Sequence, residues 1–271
     1  MNNNNFLKIP VFNKDDIFIS FDRSIFKKLN GMSELKYLSV VMYVRKNCNI
    51  FGEVRTSLND LIDSCGYKSS SYNKNLFSDF RMIIKKYLID TGYMICDSDI
   101  DTVTPSKTFK LTLVNDVDVS ESNSFVMMTV SEFDKIVSLN TNINNAVLVG
   151  VYLYIKQYII SDNDLYSPIS CPSKNKISTT LGLSSSTVYK AINVLVENKI
   201  LYESDNYYIK DSKADDTFIC IRHAYALEQK YLTDAAIKDS LYCMYNETIY
   251  SWKDVKKING KIKRSEKNNP S

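Results

Sequence analysis

The sequence predicts an α+β chain, predominantly helical, built from two tandem copies of one unit and closed by a C-terminal helical extension. It does so through a helical hydrophobic period, short alternating strands that follow it, and an internal repeat at nearly constant offset. The clearest stretch is SKNKISTTLGLSSSTVYKAINVLVENKILYE, residues 173–203. A short helix carries Ile177 and Leu181 on one face and ends at Gly182, where a residue without a Cβ turns the chain at low cost. Leu183 plugs the core between two helices, and Ser184 is placed to cap the second. Val188, Ile192, Leu195 and Val196 then recur as one buried helical face should, and Ile200 and Leu201 open a strand.

An earlier, weaker copy lies upstream. SLNDLIDSCGY (57–67) aligns with SKNKISTTLGL (173–183), pairing Leu61 with Ile177, Cys65 with Leu181, Gly66 with Gly182 and Tyr67 with Leu183. Downstream, FRMIIKKYLID (80–90) matches INVLVENKILY (192–202), so the first copy carries an insertion between Lys68 and Asn75. The returning strands are TFKLT (108–112) and TFICI (217–221), with hairpin loops DSDIDTVTPSK and DNYYIKDSKADD. Before each unit stand strand-then-helix segments at 17–29 and 125–137 and apolar helices at 35–47 and 145–159. The copies thus occupy 14–114 and 124–223, flanked by a flexible N-terminus (1–13), an acidic linker (115–123), a helical extension (224–252) and a basic tail (253–271). Within the extension, Leu227, Tyr231, Ala235 and Leu241 are the expected core contacts.

The repeated unit resembles the winged-helix superfamily, in which the second helix of a helix-turn-helix enters a DNA major groove about 12 Å wide. The second copy is the better candidate, because its helix opens with small or hydroxyl residues. Its outward face offers Ser185, Ser186, Thr187, Tyr189, Lys190 and Asn193 for base edges, with Lys174, Lys176 and Lys210 placed for phosphates. Tyr207 and Tyr208 in the wing are minor-groove candidates, one of them core by alternation. In the first copy Lys68, Ser70, Lys74, Arg81 and Lys85 either grip DNA or leave that copy free for dimerisation.

Composition narrows the field. The chain has 271 residues, 44% hydrophobic and 24% charged, as expected of a globular body. No apolar run approaches the roughly 18 residues of a membrane span, and MNNNNFLKIP lacks an export signal, so a cytoplasmic protein with no membrane partner is expected. Cys48, Cys65, Cys96, Cys171, Cys220 and Cys243 form no CxxC pair and read as buried reduced thiols. His223 is the sole histidine, and there is no phosphate loop or nucleophile elbow. No cofactor, metal or catalytic residue is expected, and the chain reads as a non-enzyme. A carboxylate-only metal nuclease leaves no sequence signature to test. Net charge is +3, but residues 253–271 carry seven basic side chains against Asp254 and Glu266, leaving −2 for residues 1–252. Attraction to phosphate must then come from local patches and the tail.

Two winged-helix-like repeats on one chain resemble the replication initiators of bacterial plasmids and some phages. That resemblance implies sequence-specific double-stranded DNA binding by the second copy, a homodimer formed through the first, and replication proteins as partners. Three rivals stand beside it: a nuclease or nicking enzyme using one of the tyrosines, which lacks the histidine cluster that usually orders its metal; a transcriptional regulator using the same helix; and a protein-binding tandem winged-helix subunit of a chromosome-condensation complex. The last predicts an apolar recognition face, against which Ser185, Lys190 and Asn193 count.

Overall fold

The computed structural model describes residues 18–22, 26, 32–114, 125–159, 168–211 and 217–259. The asparagine-rich N-terminus, the acidic linker, residues 212–216 of the second hairpin loop and the tail beyond 259 lie outside the described residues, as does most of the helical end of the expected strand-then-helix segment at 17–29, of which Phe26 is helical and buried.

The chain is α+β, with helices and small antiparallel sheets in repeated order. In the first copy, β1 (Phe18–Asp22) is followed by α1 (Met32–Asn47), β2 (Glu53–Thr56), α2 (Leu58–Ser64), α3 (Lys74–Ile84), β3 (Met94–Cys96) and β4 (Phe109–Leu113). The second copy runs β5 (Phe125–Thr129), α4 (Val130–Val137), α5 (Asn145–Lys156), α6 (Lys174–Leu181), α7 (Ser185–Glu197), β6 (Tyr202–Glu203), β7 (Tyr207–Lys210), β8 (Phe218–Cys220) and β9 (Tyr225–Ala226). The extension adds α8 (Asp234–Tyr245) and β10 (Tyr250–Ser251), and α9 (252–259) takes up the first residues of the segment expected as a basic tail.

Local chemistry explains the helix starts. Ser57 and Asp60 form a capping box on α2, Thr129 and Glu132 form another on α4, and Asn73, Ser173 and Ser184 accept from backbone N–H groups of α3, α6 and α7. The inserted Lys68–Asn75 stretch is used for a single 3-10 turn, Ser69–Ser71, and for the Asn73 cap.

The copies are not separate beads. Their first strands, β1 and β5, pair antiparallel from Phe18↔Thr129 to Asp22↔Phe125. Helix α1 lies against α5, which is buried along almost its whole length. Gly150 permits that approach, since a Cβ there would stand 2.3 Å from Leu35 Cδ2. One apolar core therefore runs through α1, α2, α3, α5, α6 and α7. Gly66, at φ +80°, both turns the chain after α2 and leaves room for Asn145 of the second copy.

Several expectations are corrected. β2 was not anticipated; it pairs with β4 through Val54↔Leu111 and makes the first copy's hairpin a three-stranded sheet ordered β2-β4-β3. In the second copy the segment read as hairpin loop contains strand β7, which pairs with β8 (Tyr208↔Cys220, Lys210↔Phe218). The return strand after β8 is β9, which pairs with β6 and bridges Ser170, so strand pairing continues past residue 223. Strand pairing after α7 starts at Tyr202 rather than Ile200. Val196 is half-buried, its place in the buried face taken by Ala191. Ala235 is exposed, and Ile237 with Leu241 anchors α8 instead. Cys220 and Cys243 are exposed free thiols, because β8 and α8 turn those positions outward.

Candidate nucleic-acid interface

The second copy builds its exposed helix face from both ends of a tight turn. Gly182 takes the left-handed conformation (φ 61°) and ends α6; the Ser178 hydroxyl donates to the Leu183 carbonyl at 2.5 Å, fixing the turn. Ser184 Oγ accepts from the Thr187 N–H at 3.1 Å and lies 2.8 Å from the Thr187 hydroxyl. Such a cap contributes about 1 kcal/mol. With Val188, Ala191, Ile192 and Leu195 turned into the core, α7 presents Ser185, Ser186, Tyr189 and Lys190 to solvent. Tyr189 is 52% exposed, Asn193 is half-buried at the rim, and Thr187 is half-buried beside the cap.

Lys174, at the start of α6, sits differently from its expected role. Its ammonium lies 3.0 Å from the Glu203 carboxylate on β6 and 4.8 Å from the Tyr189 ring centroid. It therefore ties α6 to β6 and steadies Tyr189, and a phosphate would compete with Glu203 for it. Glu203 also accepts from the Tyr225 hydroxyl at 3.2 Å and lies 3.3 Å from His223 Nδ1. Burial, reinforced by the Glu203 charge, pushes the Tyr225 phenol up, so it remains a donor. Glu203 carries no sequence signature, because a lone carboxylate in a short strand has no spacing signal. Lys176 is exposed on α6, and Lys210 is exposed on β7. Of the wing tyrosines, Tyr207 is the core residue: it is buried and donates to Asp234 at 3.0 Å, while Tyr208 points to the other face.

The first copy presents a different surface. Lys68, Ser70 and Lys74 are exposed around the 3-10 turn. Arg81, however, donates from Nη2 to the Val103 carbonyl at 2.7 Å, and Lys85 pairs with Asp101. Both partners belong to the hairpin loop 97–107, anchored by buried Ile100 and Val103. Those two cations therefore clip the loop to α3. The outward residues of α3 include Met82, 41% exposed, and half-buried Phe77, whose ring meets Tyr72 edge-on. Beside them Ser78, Arg81, Met82, Lys85, Lys86, Asp90 and Asp101 line an open depression of about 430 Å³.

No helix among the described residues is long and apolar enough to cross a membrane. Comparison with known proteins adds no family to this picture: no protein-family model matches the sequence, and no curated protein is significantly similar to it.

Proposed function

We propose that the chain is a tandem winged-helix protein that binds double-stranded DNA sequence-specifically through α7, and that it serves as a plasmid or phage replication initiator. The observation that carries the duplex reading is the outward face of α7: Ser185, Ser186, Tyr189, Lys190 and Asn193 sit on a capped, core-anchored helix directly after a fixed turn. Such a face supplies hydrogen-bond donors and acceptors of the kind read in the major groove, on a support rigid enough to hold register. Lys176 and Lys210 contact phosphate, and the basic residues from Lys253 onward add attraction that does not depend on sequence. The proposed role is binding, with no reaction attached to it.

The finer initiator reading rests on the two-copy architecture, in which helix, turn, helix and hairpin occur twice around one core. Selection of random duplexes by the full chain at about 0.15 M salt, near physiological ionic strength, tests both levels. An enriched motif supports the duplex reading, and recurrence of that motif at helical spacing of about 10 bp beside the gene supports the initiator. Absence of enrichment overturns both and favours a protein-binding scaffold.

A further inference from the structure

The second wing carries a surface that duplex reading by α7 does not use. Strand β10 from the C-terminal extension joins it, giving a sheet ordered β10-β7-β8. One face of that sheet is packed: Tyr207 and Ile209 turn toward Ile237 and Leu241 of α8. On the other face the register aligns Tyr250, Tyr208 and Cys220 across the three strands, and Lys210 stands opposite Phe218. Phe218 meets Tyr250 edge-on at 5.2 Å, and Trp252, first residue of α9, lies tilted against Tyr208 at 5.8 Å. None of these four aromatic residues belongs to either apolar core, and Trp252 is 47% exposed. Lys256 stands 5.1 Å from the Trp252 ring centroid, and Lys253, Lys257 and Lys210 are exposed nearby in sequence or on the same face.

We propose that this face binds single-stranded nucleic acid, with bases stacked on Trp252, Tyr208, Phe218 and Tyr250 and phosphates held by Lys256 and its basic neighbours. Aromatic rings left outside the core on an open sheet give each base a π-face to stack on, whatever its identity. The surrounding lysines give the complementary charge for the backbone, which an apolar protein partner would not require. The pairing of Lys256 with Trp252 is a placeholder contact: a base takes the ring and the ammonium moves to the adjacent phosphate. The inference goes beyond duplex recognition: Lys210 and the lysines from Lys253 onward serve both, but the four aromatic rings lie off α7, so a test read at Trp252 separates the two.

Trp252 is the sole tryptophan of the chain, so its emission reports on this face directly. The experiment titrates the full chain with oligothymidylate of roughly 20 nucleotides, longer than the ~4–16-nucleotide sites of comparable single-strand binders. An abasic oligomer of equal length serves as control. Saturable quenching by oligothymidylate, with clearly weaker binding of the abasic strand, is expected. Trp252→Ala should weaken binding of labelled oligothymidylate at least about fivefold, the lower end of one stacked base, and Trp252→Phe should restore most of it. Duplex affinity of Trp252→Ala stays unchanged, which shows that the variant is folded. No quenching, equal affinity for the abasic strand, or an unaffected Trp252→Ala variant overturns the proposal. So does an emission change that tracks protein concentration alone, which assigns the face to a second copy of the chain. Single-strand binding without any duplex preference would leave this inference standing and remove the duplex reading.

Discussion

Helices α3 and α7 occupy equivalent places in the two copies, yet they spend their outward charges in opposite ways. Arg81 and Lys85 on α3 are turned onto the hairpin loop, to the Val103 carbonyl and the Asp101 carboxylate. On α7 the counterpart of Arg81 is Asn193, and the exposed Lys190 makes no ion pair among the described residues. The tether between helix and wing in the second copy runs instead from Lys174 on α6 to Glu203, which leaves the middle of α7 uncovered. The two copies thus fix their hairpins by two different routes, and only the second leaves the outward helix face uncovered.

The largest expected effect probes what the copies share. Phe80 and Ile192 are equivalent and fully buried in one continuous core. Phe80→Ala should cost about 3–5 kcal/mol and Ile192→Ala about 2–5 kcal/mol. In denaturant, each should shift a single transition of the whole chain; two transitions, with only the matching half weakened, would separate the copies.

Next comes binding. Lys190→Ala should cost about 1–3 kcal/mol against a selected duplex and relax preference at one base pair. Ser78→Ala, its counterpart on α3, should change the affinity less than about twofold, within the scatter of a surface substitution. Binding isotherms on matched and mismatched duplexes check both.

The turns sharpen the comparison through stability. Gly182 and Gly66 both need positive φ, so alanine at either costs about 1–2 kcal/mol. At Gly66 the new Cβ would also stand 2.8 Å from Asn145 Cγ, so Gly66→Ala should be the more destabilising by thermal melting.

The smallest effect is a null in salt. Lys85→Ala should leave the slope of log affinity against log salt unchanged, because Lys85 is paired with Asp101, and loss of so exposed a pair should leave the melting temperature nearly unmoved. A slope reduced by about 1 would put the first copy on phosphate as well.

The α6–turn–α7 unit was legible almost residue by residue, since Gly182, the Ser184 cap and the Val188–Ile192–Leu195 stripe are local features. The second wing was not. β10 has two residues and no period of its own, and it joins β7 across some forty positions. Tyr207–Lys210 looked like loop because Asp205, Asn206 and Asp211 flank it closely. Nor does sequence reveal that Arg81 and Lys85 are spent on a loop 16 to 22 positions away, since the charges themselves look open. The contact of α1 with α5 was hidden for a related reason: an apolar helix declares that it is buried, not against what.

The most direct measurement places a photoreactive amino acid at Tyr189 on α7 or at its counterpart Phe77 on α3 and irradiates each protein with its selected duplex. Cross-links to bases from position 189, and none from position 77, are the predicted result. Equal cross-linking from both positions, or none from 189, would contradict the assignment of α7 as the helix that reads DNA.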